Sequence, residues 1–225
     1  MLRQVLMLRM LLLAFVMMIA AVGCSGPRYV DYFPYHDNGV PKPRIALMPV
    51  VDSSNSDISW DLSQEFSRSV YYDLMNSGEL YVLSPAEIGP AWDKSIDCFD
   101  VDLSFTREFC EADFVVALDL IQHEVISCDP TNKGALSPAE CHAYNRVLTL
   151  AIRARVIDVR REQPRVILYE IIKSNYILTP PYEIVGYADQ TFNSPGYSTT
   201  PCGIAHYRMV EKIVSRLEDV VRCAR

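Results

Sequence analysis

From Arg44 onward, short apolar runs alternate with stretches whose apolar residues recur at helical spacing. "RIALMPVV", Arg44 to Val51, is apolar with β-branched members and predicts a buried strand. In "WDLSQEFSRSVYYDLMNSG", Leu62, Phe66, Val70 and Leu74 stand four apart on one face, which predicts a helix with Ser59 as N-cap and Gly78 as its stop. "ELYVLS" predicts a second strand, ended by Pro85. "SFTREFCEA" predicts a short helix capped by Ser104, and "DFVVALDLIQHEV" a third strand. "RVLTLAIRARVIDV" alternates: Leu148, Leu150, Ile152, Ala154 and Val156 point one way, Thr149, Arg153 and Arg155 the other. That is a strand with one buried and one wet face. "RREQPR" turns the chain and "VILYEIIKSNYI" returns as the hairpin partner. Tyr207, Val210, Ile213, Val214, Leu217, Val220 and Val221 then carry a last helix from about Ile204 to Arg222.

The order is strand, helix, strand, short helix, three strands, helix. It predicts an α+β domain over residues 44–225: a mixed β-sheet of about five strands with two long helices packed on one face. Irregular insertions fall near 84–112, 126–145 and 178–203, where Pro, Gly and polar residues break the periodicity. Residues 24–43, rich in Pro, Gly and Tyr, read as a flexible tether.

The start of the chain has a different pattern. Arg3 and Arg9 are the only charges before residue 24, and "MLLLAFVMMIAAVG" runs uncharged from Met10 to Gly23. A basic start, a short apolar run and small residues at its end make a secretory signal peptide over residues 1–23. The run is shorter than the roughly 20 apolar residues that cross a bilayer; an uncleaved anchor is the alternative. Ala21-Val22-Gly23-Cys24 resembles a bacterial lipobox, which implies that Cys24 becomes a lipid-modified N-terminus. Ordinary cleavage before Cys24, leaving a free thiol, is the competing reading. By the same resemblance, Ser25 goes with sorting to the outer membrane.

Without Arg3 and Arg9 the chain holds 19 basic and 28 acidic residues, a formal charge of −9. Such an acidic chain has little to offer phosphates, so no nucleic-acid partner is expected. Six cysteines follow Cys24: Cys98, Cys110, Cys128, Cys141, Cys202 and Cys223. In an exported chain they read as disulfides. A helix between Cys202 and Cys223 holds them roughly 30 Å apart at 1.5 Å per residue, far beyond the ~7 Å that a disulfide spans. Pairing Cys128 with Cys141 would leave Cys98 and Cys110 to reach Cys202 and Cys223. Buried, reduced thiols are the alternative.

Candidate chemistry is sparse. His123, Cys128, Cys141 and His142 form the metal constellation in view, but Cys141 and His142 are adjacent, an awkward spacing for two ligands, and a Cys128–Cys141 disulfide would abolish it. No metal and no cofactor are expected. Asp52, Asp57 and Glu124 sit at strand ends and read as solvated charges, so no catalytic residue is assigned. Arg160, Arg161 and Arg165 share one hairpin turn and are the candidate binding residues, for an anionic headgroup or a cell-wall carboxylate.

Three stretches, "RIALMPVVDSSNS", "LSQEFSRSVYYDLMNSGELYVLS" and "RARVIDVRREQPRVILYE", together resemble a group of periplasmic lipoprotein domains. The group comprises the curli-secretion lipoprotein, the lipoprotein activators of penicillin-binding proteins and the N-terminal domain of the Tol translocation protein. The resemblance implies a non-enzymatic envelope lipoprotein, anchored by lipid and facing the periplasm, that binds or assembles with an envelope protein or cell-wall partner. No small-molecule substrate is evident. The alternatives are a subunit of a secretion or envelope-spanning complex and an envelope hydrolase or metal-dependent protein.

Overall fold

The computed structural model describes residues 32–88, 98–127, 146–178, 192 and 196–224. Asp31–Arg225 form one compact unit. The signal peptide, Cys24, the first part of the tether, and the Cys128, Cys141 and His142 region lie outside the described residues. Among the described residues no helix is long and apolar enough to cross a membrane.

The elements are β1 (Arg44–Leu47), β2 (Val51–Asp52), α1 (Leu62–Ser77), β3 (Tyr81–Val82), α2 (Pro85–Ile88), a 3-10 turn (Ser104–Glu108), β4 (Phe114–Ser127), β5 (Arg146–Asp158), β6 (Arg165–Leu178), a second 3-10 turn (Tyr197–Thr199) and α3 (Pro201–Cys223). They build the expected α+β architecture, with a six-stranded mixed sheet in the order β3-β1-β4-β5-β6 and β2 also paired to β4. β1 runs parallel to both β3 and β4, and β2 parallel to β4. β4, β5 and β6 form an antiparallel meander. The single strand expected over 44–51 is split into β1 and β2. Pro49 has no N–H to give the ladder, and α1 takes over the gap: the Ser67 hydroxyl accepts from the Val50 N–H at 2.8 Å, and the Ser63 hydroxyl donates to the Val50 carbonyl.

Helix α1 forms where its apolar stripe predicts, burying Leu62, Phe66, Val70 and Leu74. Its N-cap is Asp61 rather than Ser59, because the Asp61 carboxylate reaches the Gln64 N–H at 3.0 Å. Gly78 ends the helix at φ 71°, a left-handed conformation that glycine adopts without steric cost. Helix α3 begins at Pro201, earlier than its periodicity implies, because Thr200 caps it by accepting from the Gly203 N–H. The turn expected to be a Ser104-capped helix is a 3-10 turn without a side-chain cap; Ser104 instead donates to Asp102.

Three expectations change. The last part of the tether is folded: Tyr35 bridges Pro41, the Lys42 N–H donates to the Pro34 carbonyl at 2.9 Å, and Lys42 is buried. The second face of β5 is not wet. Cys98, Phe99, Leu103, Phe105 and Phe109 cover it in a second core with Val115, Ala117 and Ile157. Under that cover, Arg155 is buried and donates to the Cys98 and Asp100 carbonyls at 2.7 and 2.6 Å. Arg153 pairs with buried Asp119 at 2.5 Å and lies over the Phe99 ring. The staple joining Cys98 and Cys110 to Cys202 and Cys223 is not formed, since Cys110, Cys202 and Cys223 are free thiols. Cys202 and Cys223 occupy opposite ends of α3, one buried and one exposed.

The register of β4 carries one irregularity with a large effect. Leu120 lies opposite Ile152, but His123 lies opposite Leu150, so Ile121 is an extra residue in β4. Side chains alternate along a strand, and Ile152 and Leu150 share a face. The bulge therefore places His123 on the helix side together with Leu120, where strict alternation would have put it on the second face with Asp119.

The capping assignment is testable. Asp61→Ala is expected to cost about 1 kcal/mol in urea unfolding, whereas Ser59→Ala stays within about 0.5 kcal/mol. Equal losses at the two positions would refute the assignment.

Candidate functional site

Polar side chains converge between α1, α3 and the bulged end of β4. Cys202 and His206 stand one turn apart on the buried face of α3. Glu65 comes from the buried face of α1, His123 from β4, and Tyr197 from the 3-10 turn before α3. That turn packs tightly on the helix start, where a Cβ on Gly203 would lie 2.1 Å from the Tyr197 carbonyl oxygen. Only glycine permits this approach, which brings the Tyr197 hydroxyl to the cluster.

The contacts form a continuous chain. The Trp60 Nε1–H donates to Glu65 Oε2 at 2.7 Å, and the Tyr197 hydroxyl donates to Glu65 Oε1 at 2.7 Å. His206 Nδ1 also meets Glu65 Oε1 at 2.7 Å. On its other side His206 Nε2 lies 2.9 Å from His123 Nε2 and 3.4 Å from the Cys202 sulfur. His123 Nδ1 meets the Ser56 hydroxyl at 3.0 Å. Phe66 packs its ring 5.1 Å from that of His206. Glu65, His123, Cys202 and His206 are each at most 5% exposed.

Burial and charge set the protonation. Burial works against an imidazolium at His206, but the Cys202 sulfur and the Glu65 carboxylate outweigh it and push its pKa up to about 10. Burial alone would raise Glu65; the charge of His206, with hydrogen bonds from His206, Tyr197 and Trp60, holds it below the ordinary value instead. Burial and the charge of His206 press His123 down to about 4. Burial, Glu65 and Cys202 drive the Tyr197 phenol far above its ordinary value, so it remains a donor. Near neutrality the chain of groups is thus carboxylate, imidazolium and neutral imidazole. His206 donates through both nitrogens, and His123 accepts at Nε2 while its Nδ1–H donates to Ser56.

His123 also lines a cleft of about 700 Å³ where β4 runs on past β2. Ser56, Asp57, Trp60, Glu124 and Leu178 share the wall, whereas Cys202 and His206 lie behind it. The ligand atoms of His123, Cys202 and His206 all fall within 4.8 Å of one another and could hold a metal ion. The sequence pointed His123 toward Cys128, Cys141 and His142, which lie outside the described residues; the structure joins it to Cys202 and His206. The missed signal was the Cys-x-x-x-His spacing from 202 to 206, which places two ligands on one helical face. Glu65 left no such signal.

In the arginine hairpin, Arg160 is engaged within the chain. Arg160 forms a two-point ion pair with Asp158 at 2.9 and 2.7 Å, donates to the Ala224 carbonyl and lies over the Phe114 ring. Arg161 and Arg165 are exposed. Asp52 accepts from Ser54, and Asp57 and Glu124 are exposed on the cleft.

The pKa shifts imply opposite pH limbs for the metal-free protein. His206 is raised, so its contribution to stability is complete below 6.5 and is lost as pH rises toward about 10. His123 is lowered, so its contribution is complete above 6.5 and is lost as pH falls toward about 4. With chelator present, the urea midpoint should fall on both sides. Glu65→Gln should lower stability by about 3–5 kcal/mol and flatten the alkaline limb. A wild-type midpoint that climbs from pH 6.5 to 10 would contradict this assignment.

The fold recurs in solved structures. The hypothetical protein CT253 from Chlamydia trachomatis shares 22% identity, with 82% of this chain and 99% of that chain covered and a TM-score of 0.61; the likeness is one of fold. Lipoprotein GNA1162 from Neisseria meningitidis aligns at 13% identity over 65% of this chain and 92% of its own, with a TM-score of 0.38. The rare lipoprotein B from Shewanella oneidensis aligns at 14% identity over 81% and 99%, with a TM-score of 0.35. Likenesses at those last two scores carry no weight. No curated protein matches the chain significantly. Residues 31–225 match the model described as "Family of unknown function (DUF7499)", and the chain belongs to that family.

Proposed function

We propose that this protein is an envelope lipoprotein, anchored through lipid on Cys24 and facing the periplasm, that acts without catalysis as a binding or assembly factor. The observation that carries this reading is Ala21-Val22-Gly23-Cys24, placed after an uncharged run and shortly before the compact unit that begins at Asp31. Lipid chains contribute about 0.8 kcal/mol per buried CH2, and more than one chain is needed for stable attachment. Held at a membrane, a domain with a modest contact to an envelope protein or cell-wall partner binds as if that partner were at high local concentration. The outer membrane is the preferred site because Ser25 follows the cysteine.

The preferred binding face is the cleft beside β4, whose wall mixes hydroxyls, carboxylates and apolar side chains. It displaces the arginine hairpin in this role because Arg160 is committed to Asp158.

The test is an intact mass from a bacterial membrane extract. The expected mass begins at Cys24 and carries acyl groups, and Cys24→Ser moves the protein out of the membrane fraction. An unmodified Cys24, or a chain that retains residues 1–23, would overturn the anchor. A photocrosslinker at Asp57 should give a discrete envelope adduct. An adduct formed from Arg161 and not from Asp57 would move the binding face to the hairpin.

A further inference from the structure

We propose that His123, Cys202 and His206 form a buried binding site for a zinc-class transition-metal ion. The inference is independent of the membrane anchor. It starts from donor geometry. In a tetrahedral site with Zn–N near 2.0–2.1 Å and Zn–S near 2.3 Å, ligand atoms lie roughly 3.3–3.6 Å from one another. Here the two Nε2 atoms are 2.9 Å apart and the sulfur is 3.4 Å from His206 Nε2. All three ligand atoms fit within a 4.8 Å span, so a small outward movement would admit an ion.

The second observation is the orientation of the rings. Both histidines turn Nε2 toward the shared centre and use Nδ1 for a fixed outer partner: Glu65 for His206 at 2.7 Å, Ser56 for His123 at 3.0 Å. A ligating histidine ordinarily gives its other N–H to a carboxylate or a neutral acceptor, which sets its tautomer and aims the ring. Glu65 is held in turn by Tyr197 and Trp60, so the outer partner is itself anchored. The third observation is the donor type. Two imidazoles and a thiolate suit zinc-class ions rather than magnesium or calcium, which take oxygen ligands.

The same residues invite a rival reading, in which Cys202, His206 and Glu65 serve as nucleophile, base and orienting group. Burial argues against it. The Cys202 sulfur is not on the wall of the cleft, so a substrate would have no described approach to it. An ion needs only a gap about 2 Å from each donor. Three protein donors leave a fourth position for water or a further ligand, so the site could exchange its ion rather than merely brace the fold.

The test uses the full-length chain, reduced and stripped with chelator, in a Cys110→Ser, Cys223→Ser background that removes the exposed thiols among the described residues. Titration with Co2+ should give one equivalent of tetrahedral cobalt with a thiolate charge-transfer band, and Zn2+ should displace it. Cys202→Ser should abolish that band and weaken Zn2+ binding at least 100-fold. Glu65→Gln should weaken it about 10–100-fold, as expected of an outer partner. Circular dichroism in chelator establishes that each variant is folded. A measurement on the unmutated ligands guards against a variant that does not fold: with 15N-labelled histidine, Zn2+ should shift Nε2 of His123 and His206 while both retain their Nδ1 protons. Cobalt bound without thiolate character, equal zinc affinity in Cys202→Ser, or unmoved Nε2 resonances would each overturn the proposal.

Discussion

The contact between Glu65 and His206 is the constraint on which the helical layer depends. The apolar stripes of α1 and α3 would tolerate sliding past one another, because burial is non-directional. A 2.7 Å contact between a carboxylate and an imidazole can be made in only one register. Both groups are buried, so separating them would leave a charge without a partner, at a cost far larger than the pair itself contributes. His123 extends the same linkage to β4, and Tyr197 to the turn that starts α3. Two helices, a strand and a turn are thereby tied at one point.

On the other side of the sheet, a different solution applies. The segment from Cys98 to Phe109 has little regular structure, yet it covers one face of β4 and β5 with aromatic side chains. Two of its carbonyls, those of Cys98 and Asp100, accept from Arg155 Nη1. A charged residue inside the sheet thus acts as the anchor for an irregular cover that buries the second face of β4 and β5, while β6 leaves Tyr169 and Ile171 exposed on that face.

Much of the fold was legible in the residues because it rests on periodicity. The four-residue spacing of Leu62, Phe66, Val70 and Leu74 and the alternation of β5 each describe a local geometry that the chain adopts. What was not legible depended on distant partners. Arg153 and Arg155 look solvated until the 98–109 segment is known to lie over them. Glu65 follows the rule for a surface helix position and becomes a core residue only because Trp60, Tyr197 and His206 converge on it. Ser59 and Asp61 are both good caps by type; the backbone entering α1 decides between them. The family and the recurrence of the fold accord with the architecture, while the cluster itself was readable only as the spacing between Cys202 and His206.

The bulge at Ile121 has a consequence for how this site can be lost. Its effect comes from the presence of a residue, not from the identity of its side chain, which is only partly buried. A substitution scan would pass over position 121 with little signal. The removal of a single codon, by contrast, would reverse the facing of everything beyond it in β4 and carry His123 away from His206. The vulnerability of this centre is therefore one of chain length: an in-frame deletion that touches no ligand could erase it while every ligand remained encoded.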